Sequence, residues 1–347
     1  MSKFIFEMWE CDNIYEVQEE VSRLFSRREY IKILKDNPGV EQRTPAWYAI
    51  RKLGLTASDL AQANNKGKFG NREQLLLKKL GLVSDDLSEF AKTTVEHGVM
   101  FEDMALRCYR ARNQDVHVYD FGLMPHQEIK GFGASPDGIT EWGRMIEIKC
   151  PPKRPLTGTV PEHYYLQMQG QMAVAGLTEA DFVEAKIEVV DLDDFLLLPD
   201  EPTSDAGVAL RFSIKKDGLT AFEYAYSESN LTPRQAVEWA HIEAIARMEN
   251  ESNLELSKMA PWKLNRMDIQ YVTFNTQLWN DECLPVIDKF IADLNDARIR
   301  VGEGFAPWDG YEEKLAQKVV KAGLRRASSK KTEELPDFED DSDDERA

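Results

Sequence analysis

The segment GASPDGITEWGRMIEIKCP, residues 133–151, decides how the rest of the chain is read. In its second half Ile146 and Ile148 alternate with Glu147 and Lys149. In a strand, residues two apart share a face, so Glu147 and Lys149 point together while Ile148 points into a core. Glu141-Trp142-Gly143 reads as a turn, which makes GFGASPDGI and RMIEIKC a hairpin ended by Pro151-Pro152. The turn returns Asp137 to the side of Glu147. Two carboxylates and the backbone carbonyl of Ile148 then form an oxygen-rich site suited to Mg²⁺ or Mn²⁺. Lys149 is placed to position or help deprotonate an attacking water and to offset phosphate charge. Singly these residues say little. An E-x-K triplet on an exposed strand is usually a cross-strand charge pair, and Asp before Gly is an ordinary turn residue. Their order and combination carry the reading.

Outward from this hairpin the chain alternates helices and strands. Residues 95–112 form a helix with Glu102, Ala105 and Tyr109 on one face. If that helix packs on the sheet, Glu102 adds a third carboxylate, able to hold a second ion; two metals stabilise both the attacking and the leaving oxygen of an in-line displacement. By itself Glu102 reads as a solvated helix position. Residues 162–176 form a helix in which Gln167, Gln169 and Gln171 alternate, so they cannot all face one site. Upstream, helices are expected at 13–36, stopped by Asn37-Pro38-Gly39, at 45–63 with a break at Gly54, and at 72–81, closed by Gly81. Strand-like alternation runs from Val116 to Phe121. Downstream, strands are expected at 181–190 and 193–198, and helices at 232–250 and 277–298.

Composition narrows the class. The chain has 347 residues, 42% of them hydrophobic, which suits a folded globular protein rather than a disordered one. No apolar run reaches the ~18 residues of a membrane span, and no signal peptide is read at the N-terminus. Cys11, Cys108, Cys150 and Cys283 form no CxxC pair; this excludes an obvious zinc or iron–sulfur site and suits a reducing compartment. His97, His117, His126 and His163 show no metal-ligand spacing. The formal net charge is −18, so DNA binding requires a local cationic groove rather than a basic surface. Seven basic residues and no acid lie within 314–331, and nine acids follow from Glu333 onward. This basic-then-acidic end, 306–347, reads as a disordered tail. Leu335, Pro336 and Phe338 set among the acids suggest docking on a partner or occupation of the DNA channel as a decoy; a solubilising tail is the plain alternative.

Four blocks in order, from Arg43 to Gln171, resemble the lambda exonuclease / YqaJ-type viral recombinase family of PD-(D/E)XK nucleases. RTPAWYAIRKLGLTAS is similar to the family's opening block, in which an arginine and a serine seven apart bind phosphate; Arg51 and Ser58 have that spacing. HGVMFEDMALRCY is similar to the helix whose glutamate lies near the metals, here Glu102. GASPDGI and MIEIKCP match the core, Asp137, Glu147 and Lys149. YYLQMQGQMAVAG is similar to the following helix, and alignment on Met172 puts the family glutamine at Gln169, with Gln167 as fallback. Residues 268–298 resemble the closing strand and helix. Residues 1–40, 195–230 and the charged tail depart from the family without touching a motif.

The resemblance implies a restriction-endonuclease-like core, a central mixed β-sheet flanked by helices with the site at one sheet edge. It divides the chain into a helical extension (1–40), a nuclease domain (41–305) and the tail. It implies 5′→3′ digestion of one strand of duplex DNA with two Mg²⁺ per site, Mn²⁺ substituting. The products are 5′-mononucleotides and a 3′ overhang for a single-strand annealing or single-strand-binding protein. Asp137, Glu147, Glu102 and the Ile148 carbonyl would hold the ions, Lys149 would serve the nucleophile and Gln169 would orient Lys149 or a water. Arg51 and Ser58 would hold a 5′ phosphate; without the family, Ser58 reads as a helix cap and Arg51 as a surface residue. Lys153 and Arg154, just after the core strand, are equally phosphate contacts or solvated cations. An endonuclease on the same fold, and a non-catalytic DNA-end scaffold, are the alternatives. A homotrimer, and action inside a host cell as a viral or phage protein, also follow from the resemblance alone.

Overall fold

The computed structural model describes residues 14–68, 70–83, 89–216 and 219–313. Residues 1–13 of the N-terminal extension, and the basic and acidic stretches from 314 onward, lie outside them. The chain divides into two compact units at Ile291/Ala292. Within the second, Arg300 donates to the carbonyl of Ala306 and the carboxylate of Asp309.

The first unit opens with α1 (Ile14–Lys35), followed by α2 (Pro45–Leu53). Pro45 opens α2 behind Thr44, whose hydroxyl accepts the Trp47 N–H, and Gly54 ends it. After β1 (Leu55–Thr56) come a 3₁₀ turn at Ala57–Asp59, α3 (Leu60–Ala63) and α4 (Arg72–Leu80). Asn71 caps α4, and left-handed Gly81 closes it where the sequence reading expected. The long α5 (Glu89–Arg112) precedes five short strands: β2 (Val118–Tyr119), β3 (Met124–Pro125), β4 (Phe132–Ala134), β5 (Gly138–Thr140) and β6 (Met145–Lys149). Then follow α6 (Glu162–Ala175), β7 (Glu179–Val189), α7 (Leu192–Leu196), β8 (Ala206–Lys216), β9 (Leu219–Tyr226), α8 (Pro233–Asn250) and β10 (Leu254–Thr273). A turn at Thr276–Leu278 and a π-helical turn at Trp279–Cys283 lead into α9 (Leu284–Gly302).

The central sheet has seven strands in the order β2-β5-β6-β7-β10-β8-β9. β6 and β7 run parallel, joined across α6; the other pairs are antiparallel. A three-stranded sheet, β1-β4-β3, lies beside it in sequence. Helix α5 packs on one face of the large sheet: Met100, Phe101, Met104, Ala105, Cys108 and Tyr109 share a core with Ile146, Ile148, Val183 and Trp262. Helix α6 covers the other face, where its Tyr164 ring lies 5.4 Å from Phe182, the β7 residue in register with Glu147. This is the expected mixed α/β architecture.

Two segments differ from the sequence reading. Within the segment 193–198, expected as strand, the chain is helical up to Leu196, in a helix that starts at Leu192. Asp193 and Asp194 fall in the first turn, where carboxylates suit the helix dipole, and Phe195 is fully buried. Strand β10 begins at Leu254, well before the closing strand expected within 268–298, and lies between β7 and β8. Pro261 hides it, because proline is depleted from central strands. Its carbonyl accepts the Val190 N–H, so its nitrogen faces the point where β7 has just ended and no rung is lost.

Candidate active site

The pairing of β5 with β6 ends at Gly138↔Ile146. One step further along the same edge, Ile148 presents its N–H where β5 no longer runs. Asp137 Oδ2 accepts that N–H at 2.7 Å, so the carboxylate completes the ladder. A strand residue's N–H and C=O point to the same side, which turns the Ile148 carbonyl toward Asp137 as well. Glycine is required next to Asp137: a Cβ on Gly138 would lie 2.5 Å from the Val118 side chain. The site therefore sits within the sheet order, at a local edge made where β5 stops short, and not at the sheet's outer strand.

Glu147 and Lys149 project from the opposite face to Ile146 and Ile148, toward α6. Lys149 is ion-paired with Glu147, and its ammonium lies 5.1 Å from the centre of the Tyr164 ring. Gln167 Nε2 donates to Glu147 Oε1 and Gln171 Nε2 to Oε2, both at 2.7 Å. Glu147 is completely buried, with each oxygen satisfied. Burial alone would lower the Lys149 pKa, but the Glu147 and Asp137 carboxylates more than reverse this, and Lys149 is held as the ammonium.

Glu102, from α5, meets the site from the other side. It shares an open cleft of about 400 Å³ with Asp137, Ile148, Asp103 and Arg43. Arg43 Nη2 donates to both Glu102 oxygens, at 3.1 and 3.3 Å. Burial and the neighbouring Glu147 and Glu102 charges push Asp137 well above the usual carboxylate range. Burial also raises Glu102, against the pull of Arg43 and Lys149. Among the described residues, no three acidic, histidine or cysteine side chains stand in a ready-made cage. The donor set nevertheless fits a hard divalent cation: three carboxylates and a main-chain carbonyl, all oxygen, with mutual repulsion that a cation would relieve.

Arg51 and Ser58 come together, Arg51 Nη2 donating to Ser58 Oγ at 2.9 Å. The guanidinium lies over the Trp47 ring, 4.3 Å from its centroid. Trp47 Nε1 donates to Ser135 Oγ at 3.0 Å, which ties this pair to the loop carrying Asp137. Ser58 is not the helix cap; Thr56 fills that place in a reciprocal box with Asp59. Beneath, the buried ammonium of Lys79 donates to the Arg51 carbonyl and to Asp59 Oδ2, both at 2.6 Å.

Gln169 does not reach the site. Its amide donates to the Thr273 carbonyl and accepts the Asn275 N–H at 2.7 Å, clamping the end of β10. On α6 the residues that meet Glu147 are Gln167 and Gln171, whose spacing of four puts them on one face; Gln171 had no assigned role in the sequence reading. Arg154 is ion-paired with the fully buried Glu184, so charge neutralisation inside the fold occupies it. Lys153 is exposed. Arg43, Gln42 and Asp103 also escaped the sequence reading; the only signal was position, Arg43 being the first residue of the matching run.

Residues 46–178 match the YqaJ-like viral recombinase domain. The chain is 25% identical over 307 residues to an uncharacterised protein of Acanthamoeba polyphaga mimivirus, covering 78% of this chain and 55% of that protein. It is 25% identical over 193 residues to a protein of African swine fever virus, covering 46% and 53% respectively. The chain thus spans about half the length of the curated relatives it matches. Among solved structures, an alkaline exonuclease from Laribacter hongkongensis is 26% identical, covering 60% of this chain and 94% of that one, with a TM-score of 0.36. A phage-related exonuclease from Haemophilus somnus is 12% identical, covering 71% and 97%, with a TM-score of 0.38.

Proposed function

For a chain that carries a YqaJ-like viral recombinase domain over residues 46–178, we propose the activity of a metal-dependent DNA exonuclease acting 5′→3′ on duplex ends. The observation that carries the reading is the Asp137–Glu147–Lys149 arrangement. Asp137 is fixed by the Ile148 N–H, Glu147 by three donors, and Lys149 is kept charged between carboxylates. Asp137, Glu147, Glu102 and the Ile148 carbonyl would hold Mg²⁺ or Mn²⁺, two ions at full occupancy. The bound metal supplies charge stabilisation to the phosphoryl oxygens and acidifies water. Lys149, as an ammonium, orients the incoming water and neutralises charge on the phosphate. Gln167 and Gln171 keep Glu147 in one rotamer. Arg51 and Ser58 supply a guanidinium and a hydroxyl for a 5′ phosphate, with Trp47 bracing the guanidinium.

The test follows a linear duplex labelled at one phosphorylated 5′ end, in Mg²⁺ and in EDTA, for the wild type and Lys149→Ala. Early labelled mononucleotide, only with metal and only with Lys149, is the expected result. Label retained on fragments that shorten from the other end would reverse the polarity. Cutting of a covalently closed circle would favour an endonuclease, and end binding without any metal-dependent product would favour a scaffold. The 3′ overhang, its transfer to an annealing partner, a trimeric assembly and action inside a host cell extend the same reading. A monomeric mass in solution at working concentration would remove the trimer.

A further inference from the structure

The cleft beside Asp137 is strongly acidic. Glu41, Glu102, Asp103, Asp120 and Asp137 line it, and Arg43 is the one cationic residue among its described lining residues. Of the charged side chains that a phosphodiester meets among the described lining residues, all are carboxylates except Arg43. The segment bearing Arg43 is pinned on both sides. Gln42 Nε2 donates to the carbonyls of Phe121 and Pro136, at 3.0 and 3.3 Å, the latter adjoining Asp137. Thr44 Oγ1 donates to the Glu41 carbonyl at 2.8 Å. Between these anchors Arg43 takes a left-handed backbone, φ +64°, a conformation that costs a non-glycine residue energy and that glycine adopts freely. An arginine in a glycine position, aimed at a carboxylate the metal would need, points to a use for its side chain.

We propose that Arg43 is a second ligand for substrate phosphate and that it competes with metal for Glu102. With no divalent cation bound, its guanidinium neutralises Glu102. When a cation takes Glu102, the guanidinium is released, still anchored by Gln42 and Thr44, to a phosphate of the strand in the cleft. The inference rests on the nuclease reading, but its readouts need no cleavage.

The experiment uses the full chain. Mn²⁺ is titrated by calorimetry, without DNA, into the wild type, Arg43→Gly, Glu102→Gln and the double variant. Arg43→Gly is expected to bind Mn²⁺ about fivefold more tightly, a coupling of ordinary size, and to keep or raise the wild-type Tm because glycine suits the backbone. In the Glu102→Gln background the same substitution is expected to change Mn²⁺ affinity by less than about twofold. Duplex binding is then followed by anisotropy against salt in Ca²⁺. Arg43→Gly is expected to weaken binding and to reduce the slope of log K against log salt by about one. Unchanged or weaker Mn²⁺ binding in Arg43→Gly, equal tightening with and without Glu102, or an unchanged salt slope would each overturn the proposal. Failure of the wild type to release any metal-dependent product would instead remove the nuclease reading.

Discussion

Glu147 receives Lys149, Gln167 and Gln171 at once, whereas Gln169, between the two glutamines, braces the end of β10. Gln167→Ala and Gln171→Ala should therefore each lower turnover by about 10–100-fold, the usual cost of removing a partner of a metal-binding side chain. Gln169→Ala should cost about 1–3 kcal/mol of stability by leaving main-chain groups unpaired, with turnover barely changed. Urea unfolding and steady-state rates on the three variants separate the two outcomes. Asp137, Glu147 and Lys149 were legible because a strand has one period and a hairpin one way to close. Which glutamines face Glu147 was not, since helical phase is set by which face meets the sheet; Gln167 stood only as the fallback to Gln169, and Gln171 had no assigned role. Lys79 was invisible for another reason: a lysine in LLLKKLG reads as solvated until the fold encloses it with Asp59. Lys79→Met should cost about 3–5 kcal/mol, because the Asp59 charge then stays buried without its partner. Thermal unfolding checks this, and a shift below about 1 kcal/mol would mean the pair is of little consequence.

At the scale of elements, α6 does two jobs with two faces. One face carries Gln167 and Gln171 to Glu147. Elsewhere on the helix, Gly170 is close enough to the Ala57–Asp59 turn that an added Cβ would stand 3.0 Å from Ala57 Cβ and 3.2 Å from Phe132 Cζ. Gly170→Val should push that turn, and Ser58 with it, away from Arg51. The expected outcome is a loss of about 1–3 kcal/mol from overpacking and a weaker preference for 5′-phosphorylated over 5′-hydroxyl ends, read from paired cleavage rates. The ends of α2 and α4 were legible from Gly54 and Gly81, which act locally. Helix α7 and strand β10 were not, because burial of Phe195 and the placement of the Pro261 nitrogen beside the end of β7 override local preference.

Across the whole molecule, α1 is tied to the sheet by charge. Arg23 and Arg27 donate to Glu179 Oε1 at 2.8 and 2.6 Å, and Tyr30 donates to the Ala175 carbonyl. Burial pushes the Glu179 carboxyl up, but the hydrogen bonds from Arg27 and Arg23 prevail and bring it down to about 2. A depressed carboxyl stabilises the fold above its unfolded value of about 4.3 and loses that contribution as pH falls toward 2. Acid unfolding should steepen in that window, and Glu179→Gln should flatten it; an identical acid profile for both proteins would contradict the assignment. The sheet these charges clasp has a further property that concerns time. Strands β7 and β8 leave the ribosome well before Leu254, yet each is completed only by β10, which slides between them. Until then both show bare, hydrogen-bonding edges of the kind that recruit other chains. A chain released before β10 should accordingly aggregate. The strand bearing Glu147 and Lys149 leans on β7, so it gains its lasting support only when the middle of the sheet, the last of the described strands to be made, is in place.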